Sequence, residues 1–390
     1  MTLPPPPDPY GSQPPHGEGQ PGGGVPPQWG NQQGGMPPQG FSGGYGLQHQ
    51  WPGGPGGQPP KGGRGKWILG GIAVVLAIAL AVVITVLVMQ PASEEGGDGG
   101  ADPTARNSDS EFASANDTGP ADIITDDLTC AAWSRIGNEY ADRLETISWS
   151  DRDREVSADI WSPAQKSQYE AAGEAMSAAA EAATKLAKQT PHRVMRELYE
   201  QFIAYSGSFV DNIPSYRPEH NRAIVVSDAF GLALNNVCAS IQYAAAPQVA
   251  PLVDSPQAPS TATSSMDGED FMFLKQRIPV CTDWAAAINS ISDDTAAWQR
   301  IDAEISASDW TAEQRAVIDA VGPVMSENAD SLEAMGRSSD NPLFEDFAIT
   351  AAQYRRGYVK ALPTYSPRDS FLAQTATYLV KAVNSACDAA

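Results

Sequence analysis

Few residues in this chain have the means to do chemistry. Four cysteines, Cys130, Cys238, Cys281 and Cys387, could form disulfides, ligate a metal or act as nucleophiles. A metal or redox centre draws on cysteines in short spacings, and none of these four lies close in sequence to another. Hydrolysis by a Ser, His and Asp set needs a histidine, and beyond residue 89 only His192 and His220 are present, without a GxSxG elbow. Both read as solvated surface residues. No HExxH or EF-hand pattern offers a metal site. Carboxylates are plentiful, as Asp293 with Asp294, Asp302 with Glu304, and Glu170 with Glu174. A general acid needs one carboxyl held in an apolar pocket, so these pairs read instead as solubilising helix faces. GEGQPG (Gly17, Gly19, Gly22) matches GxGxxG formally, yet Pro21 interrupts it and neither strand nor helix flanks it. Lys66 follows Gly65 but precedes Trp67, which excludes a P-loop. The chain is expected to be no enzyme and to hold no cofactor.

The elements that carry these residues are unevenly distributed. Residues 1–66 are rich in Gly, Pro and Gln with spaced aromatics, a composition that cannot offset chain entropy by burial, and they read as a disordered tail offering contacts to a cytoplasmic partner. Residues 67–89, WILGGIAVVLAIALAVVITVLVM, carry no charge over 23 positions. At about 1.5 Å per residue that suffices to cross a bilayer core of about 30 Å. Lys61, Arg64 and Lys66 precede the run and Glu94, Glu95, Asp98 and Asp102 follow it, so the positive-inside rule puts the N-terminus in the cytoplasm and the C-terminal part outside. All four cysteines then lie where disulfides form. Ala73, Ala77, Ala81 and Thr85 recur every four residues and mark one helix face for a homodimer.

The formal charge is −22, and residues 1–66 contribute +1, leaving −23 for the rest. Such an acidic outer part repels nucleic acid, which is excluded as a partner. Residues 90–122 read as an acidic flexible stalk.

The remainder contains an echo. CAAW at 130–133 recurs as CTDW at 281–284; Trp149, Trp161, Gly173, Met176, Tyr205 and Cys238 recur as Trp298, Trp310, Gly322, Met325, Tyr354 and Cys387, at an offset of 149. Apolar residues at helical spacing, divided by proline-containing breaks, give four helices in each copy. In an up-down-up-down bundle the first helix starts where the fourth ends, so Cys130 pairs with Cys238 and Cys281 with Cys387. Residues 243–277 read as a Pro/Ser/Thr-rich linker that leaves the two copies free to move independently, with Phe271, Met272 and Phe273 docking near its end. The repeated turns IPSYRP and LPTYSP carry Tyr216 and Tyr365, which either contact a partner or pack back over their own helices.

The layout resembles uncharacterised single-pass membrane proteins of mycobacteria and related actinobacteria, through TLPPPPDPYGSQPP, KGGRGKWILGG and the duplicated CxxW segments. The resemblance implies an envelope location and carries over no functional residue.

The reading is therefore all-α: two tandem disulfide-clasped four-helix bundles, 123–242 and 278–390, outside the plasma membrane. The expected function is a non-enzymatic envelope binding or scaffold protein, held in the lipid bilayer by 67–89 and serving an envelope protein partner. The alternative is a sensor or carrier of a small apolar or lipid ligand inside the bundles.

Overall fold

The computed structural model describes residues 111–259 and 272–390. The tail, the apolar run 67–89 with Ala73, Ala77, Ala81 and Thr85, and the beginning of the stalk lie outside the described residues. Those described are helical throughout, without a strand. The first half contains α1 (Cys130–Thr146), α2 (Pro163–Gln189), α3 (Arg193–Asn212), α4 (Asn221–Gln242) and the short α5 (Ala245–Val249). The second half contains α6 (Val280–Asp294), α7 (Ala312–Arg337), α8 (Pro342–Ala361) and α9 (Ser370–Ala389).

Local chemistry sets these boundaries. Ser162 opens α2 with a reciprocal capping box to Gln165, and Pro163 occupies the first helical position, where its missing N–H costs nothing. Thr311 and Gln314 form the same box at α7. Asn341 caps α8 by accepting the Phe344 N–H at 3.0 Å. Two disulfides, Cys130 to Cys238 and Cys281 to Cys387, join the start of α1 to the end of α4 and the start of α6 to the end of α9.

Trp133 lies one turn into α1 and meets Tyr199 and Phe202 edge-on, with centroids 5.5 and 5.2 Å away. Trp284 lies at the matching point of α6, meets Phe344 at 5.0 Å and donates its indole N–H to the Val380 carbonyl. At the opposite end of each half, Tyr216 and Tyr365 are buried. Their hydroxyls donate to the carbonyls of Arg154 and Ala303, at 2.8 and 2.7 Å. The paired prolines turn each ring inward over its own helices, which is the second of the two placements the sequence left open.

Two further corrections concern the connecting segments. Residues 111–122, expected to belong to the stalk, are part of the fold: Ser114 and Ala121 are buried, and the Ala113 N–H bonds to the Lys188 carbonyl. Nor do the two halves move independently, since α4 packs against α9 more extensively than any other two helices meet. Ala245, Ala246 and Val249 of α5 and Leu274 are buried as well, so much of the expected linker joins the common core.

One stretch among the described residues, Pro218–Gln242, is long and apolar enough to cross a membrane by length and composition. It is mostly buried and carries Cys238, as a core helix would.

Candidate functional site

The junction between the halves is built from buried charge. Thr190 and Pro191 end α2, and α3 starts at once with Arg193, whose backbone N–H is taken by Asp117 Oδ2 at 2.6 Å. The Arg193 side chain is 1% exposed. Its Nη1 donates to the carbonyls of Asp117 and Gly119 at 2.9 and 3.0 Å. Nε and Nη2 donate to the two oxygens of Asp346 on α8, at 2.8 and 2.9 Å. Burial alone would lower the Arg193 pKa, but the bonds and charge of Asp346, helped by Glu197 and Asp117, prevail and raise it. Arg196, one turn on, faces Glu197 and Glu200, with closest N to O distances of 3.8 and 3.5 Å.

Beside this cluster the segment ahead of each half crosses to the other half. Ile124, ahead of α1, receives the Tyr354 hydroxyl of α8 on its carbonyl at 3.3 Å. Ile123 runs so close to α8 that a β-carbon on Gly357 would stand 2.9 Å from its Cδ1. Phe273, ahead of α6, donates its N–H to Gln201 of α3 at 3.0 Å and meets Phe230 and Phe347 at 6.1 and 5.5 Å. The two crossings lock the halves together with backbone hydrogen bonds as well as apolar area.

The residues singled out for chemistry do not converge. His192 Nε2 lies 2.7 Å from the Asp126 carbonyl, and His220 Nδ1 accepts the Arg217 N–H three residues back. Asp293, Asp294, Asp302, Glu304, Glu170 and Glu174 are exposed. No group of three or more His, Cys, Asp or Glu among the described residues is arranged to hold a metal. Inside the first half, the cleft lined by Trp133, Gly137, Tyr140, Phe202 and Asn235 has a volume of about 20 Å³, enough for one water. A lipid or drug-sized ligand needs several hundred Å³. The larger depressions, such as that among Asp254, Gln257, Glu333, Arg337 and Arg356, are open to solvent.

With the geometry in place, comparison with known proteins supplies a lineage. Residues 112–390 match the family model described as Mycobacterial ESX-1 associated protein. The chain belongs to this family. The matched region starts within the crossing segment that holds Asp117, Gly119 and Ile124, and it includes both halves of the fold. An uncharacterised protein of Mycolicibacterium smegmatis (strain MKD8) is 38% identical over 326 residues, covering 83% of this chain and 86% of the relative. No solved structure matches.

The Arg193 to Asp346 pair was not legible in the sequence. At the offset of 149, Arg193 corresponds to Pro342, and Asp346 to Glu197, so the echo gives no sign that the two meet.

Proposed function

We propose that the protein is a non-enzymatic scaffold of the mycobacterial cell envelope that works with the ESX-1 secretion system. The observation that carries this reading is the family match over residues 112–390, whose description names that association. Two tandem four-helix bundles, products of one duplication, form a single binding body outside the membrane, tethered by a transmembrane helix at 67–89 with the N-terminal tail in the cytoplasm. The repeated order of helices and the constant offset of 149 between Trp149 and Trp298, Trp161 and Trp310, and Cys238 and Cys387 support the duplication. The closed interior favours a scaffold over a lipid carrier. A body locked by crossing segments and buried ion pairs suits presentation of fixed surfaces to protein partners.

The test is crosslinking in intact mycobacterial cells, followed by recovery of the tagged full chain under denaturing washes. Components of the ESX-1 secretion system are expected to be enriched over a tagged, unrelated single-pass protein. Identical protein sets from the two baits would contradict the proposal.

A further inference from the structure

Three arginines of the described fold are withdrawn from water: Arg193, Arg196 and Arg355, at 1%, 1% and 8% exposure. The first two are compensated, Arg193 by Asp346 and Arg196 by Glu197 and Glu200. Arg355, on α8, forms no ion pair with any described residue, and its side-chain partner is the amide oxygen of Asn328 on α7. An amide oxygen accepts a hydrogen bond but does not neutralise a guanidinium, and a buried charge left so is costly. Burial pushes the Arg355 pKa down to about 10, with no carboxylate opposing the fall. The adjacent Arg356 shows the usual solution, pairing with Asp330 and Glu333 at 2.7 Å each.

The fold itself does not call for a cation here. At the offset of 149, Arg355 corresponds to Ser206, a buried residue whose hydroxyl lies 2.6 Å from that of Ser227. Asn328 corresponds to Ala179, which lines a surface cleft between α1 and α2. The second half thus has an amide and a guanidinium where the first has a methyl and a hydroxyl. It is also less tightly covered: α6 buries only Val280, Cys281 and Trp284 at its start, whereas α1 also buries Tyr140 and Leu144 farther along.

We infer that Arg355, with Asn328 beside it, binds an oxyanion, a phosphate or carboxylate group, between α7 and α8. The planar guanidinium presents paired N–H donors that match such a group two-on-two, and the residue keeps 8% of its surface exposed. The Asn328 amide N–H₂ is a further donor for the same ligand.

The test is thermal unfolding of the oxidised full chain in detergent at constant ionic strength, with chloride replaced stepwise by inorganic phosphate or acetate, and separately with phosphatidylglycerol vesicles. The parent is expected to gain a few degrees, saturating with concentration as mass action requires, while Arg355→Met shows no such gain. Asn328→Asp, which supplies the missing negative charge from within, is expected to melt higher without added anion and to lose the response. It keeps the test decisive if Arg355→Met does not fold. A gain with phosphate or acetate identifies a free anion as ligand, and a gain confined to vesicles identifies a lipid headgroup. Equal gains in parent and Arg355→Met, no gain with any of the three probes, or an Asn328→Asp chain that responds like the parent would overturn the inference.

Discussion

Arg193 on α3 and Asp346 on α8 are 153 residues apart in sequence and share two hydrogen bonds of 2.8 and 2.9 Å, both side chains fully withdrawn from solvent. A buried pair of this kind adds little over well-packed apolar residues, but removing one partner strands the other charge. Asp346→Ala is therefore expected to cost about 3–5 kcal/mol in chemical denaturation. The double variant Arg193→Met with Asp346→Leu should recover much of that loss. Additive losses in the double-mutant cycle would show that the two residues do not act as a pair.

Asp228 on α4 gives a pH prediction. Part of the residue reaches solvent, yet its Oδ1 is buried without a hydrogen-bond partner, and burial raises the carboxyl pKa well above 3.8. For an acid with a raised native pKa, the folded state holds more protons than the unfolded chain between the two pKa values, so stability falls as pH rises through that window. Each unit of elevation is worth about 1.4 kcal/mol. Asp228→Asn is expected to stabilise the protein at pH 7 and to make no such difference at pH 3, as read from urea unfolding at both values. A destabilised variant at pH 7 would mean that the ionised carboxylate is being satisfied.

The disulfides close loops with sequence separations of 108 and 106. On the chain-entropy model each contributes about 5 kcal/mol, by restricting the unfolded chain. Replacing Cys130 and Cys238 with serine, or Cys281 and Cys387, should lower the denaturation midpoint sharply. Trp133 and Trp284 fluorescence should report the loss at the clasp. An unchanged midpoint after reduction would mean that the unfolded chain is already restricted.

Tyr216→Phe and Tyr365→Phe each remove one phenol hydroxyl that donates to a backbone carbonyl. A cost of about 1 kcal/mol is expected for each, with the set of crosslinked partners unchanged. Loss of a partner without loss of stability would return these tyrosines to the surface role.

The helical class could be read from the sequence because its signals are local: apolar residues at helical spacing and proline-containing breaks. The docking of Phe273 was expected, but the crossing of the two segments from one half to the other was not. Ile123 and Ile124 sit among Asp, Thr and Pro, and Phe273 follows a Ser/Thr-rich stretch, so neither shows a period that marks it as core. Their packing depends on helices more than 70 residues away, including Tyr354 and Gln201. The charged junction was hidden for a related reason. In sequence Arg193, Arg196, Glu197 and Glu200 look like two turns of a solvated helix face, and only the fold shows that this face turns inward.

The two halves form one body, although no disulfide joins them. The most direct test is to introduce a protease site between residues 260 and 271, cut the oxidised protein there, and measure the product by size exclusion with light scattering. A single particle of unchanged mass, containing both fragments without a covalent link, is the predicted result. Two separate particles, each with the mass of one half, would contradict it.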